Sequence, residues 1–399
     1  MAFNSQCKQD GDTMNSPQTI AVTTGPKEHF FGYYDKFSDN RSGRYVLCHE
    51  VAFNDRPPTG EDAARIGLID LEAGNGFGPL AETRAWCWQQ GSMLQWHPAE
   101  PEHTIIHNDR RDGQFVCVIR DIASGKERVL PRPVAAVSRD GKKALSLNFA
   151  RLADERPGYG YAGLADPWAK AEAPDDDGLY LMDMETGDYK LIISLAQIVA
   201  FAPQPTMAGV KHWFNHLLFS PDDRRFIFLH RWRHGTGRLT RLFTADIDGG
   251  NICCINDHDM SSHFDWRDPE HLIVFAKRHE IGARYFLFTD RTDRLDVIGD
   301  EKLTSLGDGH CNYSPDRRWI LTDTYPNAQK ERKLLLYHPG KDVRADVGDY
   351  YSVPWMTECR CDLHPRWTRD GRRLTFDSSH TGSRQVYLMD VGRIVDSAD

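Results

Sequence analysis

Several things are missing from this sequence of 399 residues. It has no run of about 18 apolar residues, so no membrane-spanning helix is expected. It has no basic excess: 49 Lys and Arg stand against 58 Asp and Glu, a formal net charge of −9. That balance argues against a general nucleic-acid surface. It has no paired cysteine framework. Nine Cys is an odd number, and several lie in apolar strand-like runs such as YVLCHE and QFVCVIR, where buried thiols are the simple reading. The N-terminus, MAFNSQCKQDGDTMNSPQ, lacks a basic stretch followed by an apolar one. It reads as a disordered leader over residues 1–18, and with the free thiols it points to a cytoplasmic setting, or to an exported chain shown without its leader. No G-x-S-x-G, Walker A or G-x-G-x-x-G stands in a strand–turn–helix context; GYGYAG falls in a loop.

What is present is a globular composition, 40% hydrophobic with 11% aromatics, and an abundance of imidazole and indole: 17 His and 10 Trp. One pattern recurs. A short strand, usually with an aromatic, runs into a polar turn that often reads SPD or RDG and then a second apolar strand. It appears as DKFSDNRSGRYVLCHE, LQWHPAEPEHTIIHN, AAVSRDGKKALSLN, LLFSPDDRRFIFLH, FDWRDPEHLIVFAK, NYSPDRRWILTDT and PRWTRDGRRLTFDS. Reference positions in these copies are Phe37, Trp96, Val137, Phe219, Trp266, Tyr313 and Trp367. They recur about every 50 residues, apart from a longer gap between Val137 and Phe219. Each copy is followed by a second hairpin. Seven units of two hairpins predict an all-β fold, a seven-bladed β-propeller of four-stranded antiparallel blades, as one domain over 19–395. Two β-sandwich domains are the alternative. The long gap holds a Gly-, Pro- and Asp-rich loop insertion at about 148–178 and a short helical turn within 194–209. The strand-like TIAVTTG at 19–25 is placed to close the ring by completing the last blade.

In a propeller the first strand of each blade lines the central channel, so residues at equal offsets form rings. Three residues before the reference lie His216, His263, His310 and His364, in four consecutive blades. Each could bond the backbone of a neighbouring blade; together they could hold a divalent metal ion (Zn, Mn or Ca) across the channel. Cys359, Cys361 and Asp362 stand close enough in sequence to add a ligand. Eleven or twelve residues after the reference lie His49, His107, Asn148 and His230, and fourteen after lie Arg110, Arg151 and Arg233. The insertion adds Arg156, Tyr159 and Tyr161; Arg231 and Trp232 follow His230; His29, Tyr33 and Tyr34 sit in the first unit. Trp86, Trp88, Trp213 and Trp232 either stack on sugar rings or simply pack. A concave mouth rich in Arg, His and Tyr invites an anionic substrate. It suits proton abstraction next to a carboxylate, the chemistry of β-elimination in uronic-acid saccharides.

The strings HFFGYYDK, HNDRR, RPGYGY, SHFDWRDPEH, GHCNYSPDRRWILTDTYP and CRCDLHPRW, spread over roughly residues 26–392, resemble the seven-bladed propeller polysaccharide lyases. These are the ulvan lyases, the rhamnose–glucuronate lyases and, more distantly, oligogalacturonate lyase. The resemblance implies a carbohydrate lyase acting on an acidic oligo- or polysaccharide, of rhamnose–glucuronate or ulvan-like linkage. It assigns acid–base work to His29 and His49, neutralisation of the uronate to Arg110, and assistance to Tyr161 or else Tyr159. Substrate contacts are expected from Tyr159, Arg151, His107, Arg231 and Trp232, and metal ligation from His216, His263, His310 and His364. Residues 81–97 hold no Tyr, whereas the family has a catalytic one between the second His and the Arg. A non-catalytic uronide-binding propeller and a metal-dependent hydrolase using the channel histidines are the competing functions. No nucleic-acid or membrane partner is expected.

Overall fold

The computed structural model describes residues 17–397, so the expected leader lies outside the described residues but for its last two positions. Seven sheets form, each of four antiparallel strands, in the sequential order that a propeller requires. Inner strands are Glu28–Phe30, Gln95–Trp96, Ala136–Val137, His212–Phe219, Ser261–Asp268, Asn312–Tyr313 and Arg366–Trp367 for blades 1 to 7. The last blade takes its outer strand from the start of the chain: Thr19–Ala21 pairs with Gln385–Asp390, Thr19 opposite Met389. The ring is thereby closed as the sequence implied. No helix among the described residues is long and apolar enough to cross a membrane.

The recurrent turn has a physical basis. In SPDD, SPDR and TRDG the hydroxyl donates to the Asp two residues on, as in Ser220 to Asp222 at 2.7 Å and Thr368 to Asp370 at 2.6 Å. The hydroxyl-bearing residue also closes the hairpin through its backbone, Ser220 N to Arg225 O at 2.8 Å and Thr368 N to Arg373 O at 2.9 Å. A left-handed residue completes the turn: Gly141, Asp223, Arg317 and Gly371 all have φ between 58° and 73°. Inner-strand tryptophans staple neighbouring blades, with Trp96 Nε1 donating to Ser38 O and Trp266 Nε1 to Leu218 O. Apolar side chains such as Phe264, Leu272, Val274 and Phe286 fill the space between blades 4 and 5. Phe37 departs from the pattern. It lies beyond the inner strand of blade 1 and is exposed, under the guanidinium of Arg369.

The insertion is more ordered than a plain loop. Asn148 caps a helix α1 (Phe149–Glu155), its side chain accepting from Arg151 N. A second short helix, α2 (Leu195–Ala200), lies in the expected second segment. Arg151 organises the whole insertion. Nε donates to His212 O, Nη1 to Asp166 Oδ2 and Trp168 O, and Nη2 to Ala171 O and Glu172 O, at 2.7–3.1 Å. These use all five of its donors.

Candidate metal centre at the channel mouth

The register of the four histidines has a local cause. In blades 4 and 5 the inner strand carries a bulge at this position, between Asn215 and Leu217 and between Ser261 and Phe264. His216 and His364 both adopt left-handed backbone, φ 48° and 42°. A bulge re-aims one side chain out of the pleat, here into the channel, and such strain concentrates at functional sites. The rings do gather: His263 and His310 centroids are 4.0 Å apart, His310 and His364 4.4 Å. Tyr33 and Tyr34 pack under them, Tyr33 edge-on to His216 at 4.8 Å and to His364 at 5.0 Å.

The four do not share one role. Ligand atoms of His310, Asp362 and His364 lie within 4.8 Å of one another, and all three residues are buried. His310 Nδ1 is held by Asp323 at 2.8 Å, which leaves Nε2 directed away and without a partner; His364 Nε2 is likewise without a hydrogen bond. Arg332 and Arg360 stand 2.6 and 2.8 Å from the two oxygens of Asp362, yet neither oxygen receives an aligned hydrogen bond. Burial alone would raise the Asp362 pKa; Arg332 and Arg360 outweigh it and hold the carboxylate ionised. Two buried, unsatisfied imidazole nitrogens facing an ionised carboxylate fit a divalent cation. A set with two imidazoles suits Mn or Zn better than Ca, which prefers oxygen. His263 and His216 stand outside this group of three, and neither ring nitrogen of His216 makes an aligned hydrogen bond. His263 Nδ1 meets Asp308 at 2.9 Å, and His216 Nε2 lies 3.4 Å from Asp35. Cys359 and Cys361 are free thiols, pushed by burial up to about 11 and about 12, outside this group.

Around the group stands a crown of cations. Arg231 is buried, Arg156 half-buried and Arg238 exposed, and none pairs with a carboxylate among the described residues. Burial, then Arg238 and Arg156, push the Arg231 pKa down to about 9. Tyr159 sits in the middle: Arg360 Nη2 donates to its hydroxyl at 3.0 Å and Arg156 lies 4.6 Å from its ring. Burial raises its pKa, but Arg360 and Arg156 outweigh this and leave it lowered from 10. Gly160 makes this placement possible. A Cβ there would lie 2.1 Å from Ala153 N and 2.4 Å from Phe149 O, so only Gly lets the loop press on α1.

The other expected site residues lie elsewhere. Phe30 pairs with His49 and His29 with Glu50 across the two strands of blade 1. Residues opposite each other share a face, so His29 and His49 point to opposite faces and cannot divide one reaction between them. His29 is bonded to Gln385 and paired with Glu50. His49 is fully buried; Ser92 N and Oγ contact Nε2 at 3.1 and 2.8 Å, and Phe30 O lies 3.3 Å from Nδ1. Tyr161 is sealed in the core, stacked on Phe149 at 4.3 Å, with Asn108 donating to its hydroxyl. Arg110 tethers the insertion, donating to Gly163 O and lying 3.6 Å from Glu61. Arg151 has no donor left for a substrate. His107 and Trp232 are fully buried, Trp232 stacked on His230. Trp86, Trp88 and Trp213 are also buried and pack. Of the expected substrate-binding residues, Tyr159 and Arg231 stand at the mouth. Sequence reasoning passed over Arg238, Arg360, Asp308 and Asp323. None of them shares the repeat offsets that were read as rings.

No protein-family model matches this sequence, and no curated protein matches it. Among solved structures, it resembles an oligogalacturonate lyase from Vibrio parahaemolyticus, with 14% identity, 95% of each chain covered and a TM-score of 0.66. It also resembles an oligogalacturonate lyase in complex with manganese, with 16% identity, 94% of each chain covered and a TM-score of 0.70. The β-propeller domain of the trilobed protease from Pyrococcus furiosus aligns over 90% of this chain and 95% of its own, at 10% identity and a TM-score of 0.52. At such identities these likenesses establish a shared fold, the propeller already described.

Proposed function

We propose that this chain is a metal-dependent lyase that cleaves uronic-acid oligosaccharides by β-elimination. The observation that carries the reading is the set of Arg156, Arg231 and Arg238 beside His310, Asp362 and His364. Three guanidiniums without carboxylate partners, one of them buried, repel one another and are costly unless an anionic ligand answers them. The likeness to an oligogalacturonate lyase in complex with manganese supports both the uronide and the divalent ion.

A divalent cation held by His310, Asp362 and His364 would supply charge neutralisation of the uronate and so acidify its α-proton. The residues around it divide the remaining work. Arg231 and Arg238 hold the substrate carboxylates. His263 takes the α-proton. Asp308 fixes its Nδ1–H and leaves the Nε2 lone pair open, and burial followed by the nearby His310 lowers its pKa, which keeps the ring neutral. As that proton leaves, the double bond forms, the glycosidic C–O bond breaks and the departing oxygen needs a proton. Tyr159 is placed to donate it, its acidity raised by Arg360 and Arg156. Oligogalacturonate is the first substrate to try, with rhamnose–glucuronate and ulvan oligomers as further members of the panel.

The experiment is a survey of these oligomers with added Mn, Zn and Ca, read by the ultraviolet absorbance of the unsaturated uronate and by reducing ends. Growth of both supports the lyase. Reducing ends without absorbance would make the protein a hydrolase. Binding of the oligomers without either signal would make it a non-catalytic uronide binder.

A further inference from the structure

We propose that the second mouth of the channel, on the face opposite the metal group, is a separate ligand site for a small carboxylate anion with an apolar body. The inference stands apart from the lyase reading and needs no part of it.

The site is a cavity of about 100 Å³, room for several waters or one small organic ion. The topology puts it at the far end of the axis. His310 and His364 come just before the inner strands of blades 6 and 7, whereas the cavity is walled by those strands and by the turns that follow inner strands. Five blades contribute to it: Lys36 comes from blade 1, Arg139 from blade 3, Asp265 from blade 5, Arg317 from blade 6 and Trp367 from blade 7.

Three cations meet there, and one is unanswered. Lys36 Nζ donates to Asp35 Oδ1 at 2.7 Å. Arg317 Nη1 donates to Trp266 O at 2.9 Å and to Asp265 Oδ2 at 3.2 Å. The Arg139 side chain makes no hydrogen bond or ion pair among the described residues, although its turn is fixed: Arg139 N and Asp140 N donate to the two oxygens of Asp223 at 2.9 and 3.2 Å. Arg139 keeps contact with solvent, yet partial burial lowers its pKa and Arg317, from across the ring, lowers it further. Two guanidiniums brought from blades 3 and 6 to one axis repel each other, and an anion between them removes that cost.

The aromatic wall has an unmet donor as well. Trp367 takes the reference position that Trp96 and Trp266 hold in their blades. Those two donate their indole N–H to the preceding blade, but the Trp367 N–H is buried without a partner. A buried donor left unmet is costly, and an acceptor in the cavity it borders would relieve it. Phe37, which departs from the blade pattern, lines the same cavity and is 37% exposed. It leaves an apolar surface open at the entrance.

Charge and shape choose the ligand. Lys36, Arg139 and Arg317 set against Asp35 and Asp265 leave one net positive charge, which matches a monoanion and not a dianion. A guanidinium fork fits a carboxylate through two parallel bonds. Phe37, Tyr313 and Trp367 offer flat apolar surface to the rest of the molecule. A planar aromatic acid meets all three requirements. Inorganic phosphate lacks the apolar body and carries too much charge.

The test uses the full chain, with benzoate as the probe in titration calorimetry and benzyl alcohol and inorganic phosphate as comparisons. Benzoate is expected to bind with a Kd of about 1 mM or tighter. Benzyl alcohol, which keeps the ring without the charge, and phosphate, which lacks the ring, should each bind about tenfold more weakly or worse. Because the ligand touches several blades, benzoate should also raise the melting temperature. Arg139→Met should weaken benzoate about tenfold and abolish that thermal shift. Its melting temperature without ligand should not fall, since the Arg139 side chain holds no other element. Phe37→Ala should weaken benzoate about threefold. Arg231→Met, at the metal mouth, should leave benzoate binding unchanged. The site is overturned by a parent that does not bind benzoate or by binding that survives Arg139→Met. Binding lost in Arg231→Met also overturns it, because the anion then sits at the metal mouth. Phosphate bound as tightly as benzoate overturns the ligand class. None of these outcomes bears on turnover of uronides, which Arg139→Met should leave unchanged.

Discussion

Asp308 holds Nδ1 of His263 at 2.9 Å, and Ser262 Oγ closes on the other oxygen of the same carboxylate at 2.7 Å. The contact selects a tautomer. With the proton on Nδ1, the lone pair is on Nε2, where a base needs it. Asp308→Asn can present an oxygen or an N–H to the ring, and the N–H stabilises the wrong tautomer. It is expected to lower kcat about a hundredfold with little change in KM, a split that single-turnover and steady-state kinetics will show. A purely structural Asp308 would instead shift the melting temperature and leave kcat nearly intact.

Arg231 predicts a trade between stability and activity. A buried guanidinium without a carboxylate partner among the described residues destabilises the fold that contains it. Arg231→Met should therefore raise stability by about 1 kcal/mol in denaturant unfolding while weakening uronide binding. A variant that loses both stability and activity would show that Arg231 is structural.

The metal group can be separated from the ring of four histidines. Asp362→Ala and His310→Ala should abolish stoichiometric metal by elemental mass spectrometry, because each removes one member of the set. His216→Gln should retain it, since His216 lies outside the set of three and near Asp35, 3.4 Å away. Chelation should stop turnover, and re-addition of Mn or Zn should restore it better than Ca.

Acid sensitivity follows from imidazoles far from the metal. Burial lowers the pKa of His49 to about 3 and lowers those of His107, His212 and His230 as well. Unfolded, each would titrate near 6.5. Between the two values the unfolded chain binds protons that the folded chain refuses, so stability falls as pH falls below about 6.5. Melting temperature measured from pH 8 to pH 4 should decline steadily. In His49→Gln the decline should be shallower.

Arg151→Lys should not be conservative. A single ammonium cannot satisfy the five acceptors that the guanidinium serves, and the buried Asp166 would keep its charge with a poorer partner. A loss of about 3 kcal/mol is expected, with proteolytic sensitivity appearing first in the segment from 156 to 176.

The ring was legible because its signals are local. The hairpin with its polar turn repeats seven times, with SPD or RDG in four of the copies, and even the clasp at Thr19–Ala21 could be read from strand character. The histidine register was legible for the same reason, and it led to His310 and His364. What the repeat could not show is which members share a ligand. That is decided by Asp323, Asp308 and Asp35, which reach in from a second strand and from loops and take one histidine each. His29 and His49 looked like a pair by spacing alone, yet an odd step along a paired strand turns them to opposite sides. Tyr159 and Tyr161 differ by two residues, and only the pressure of Gly160 against α1 sends one to the mouth and the other into the core.

Six of the seven blades are assembled from one continuous stretch of chain. The seventh is made by joining Thr19–Ala21 to a strand nearly the whole chain away. That seam joins the two ends of the described chain through a register of three residue pairs, backed by Val22 in an apolar cluster with Val46, Cys48, Ile69 and Val386. Slow opening events should start there. Amide exchange should report blades 7 and 1 loosening first, while the side of the ring bearing blades 3, 4 and 5 stays protected.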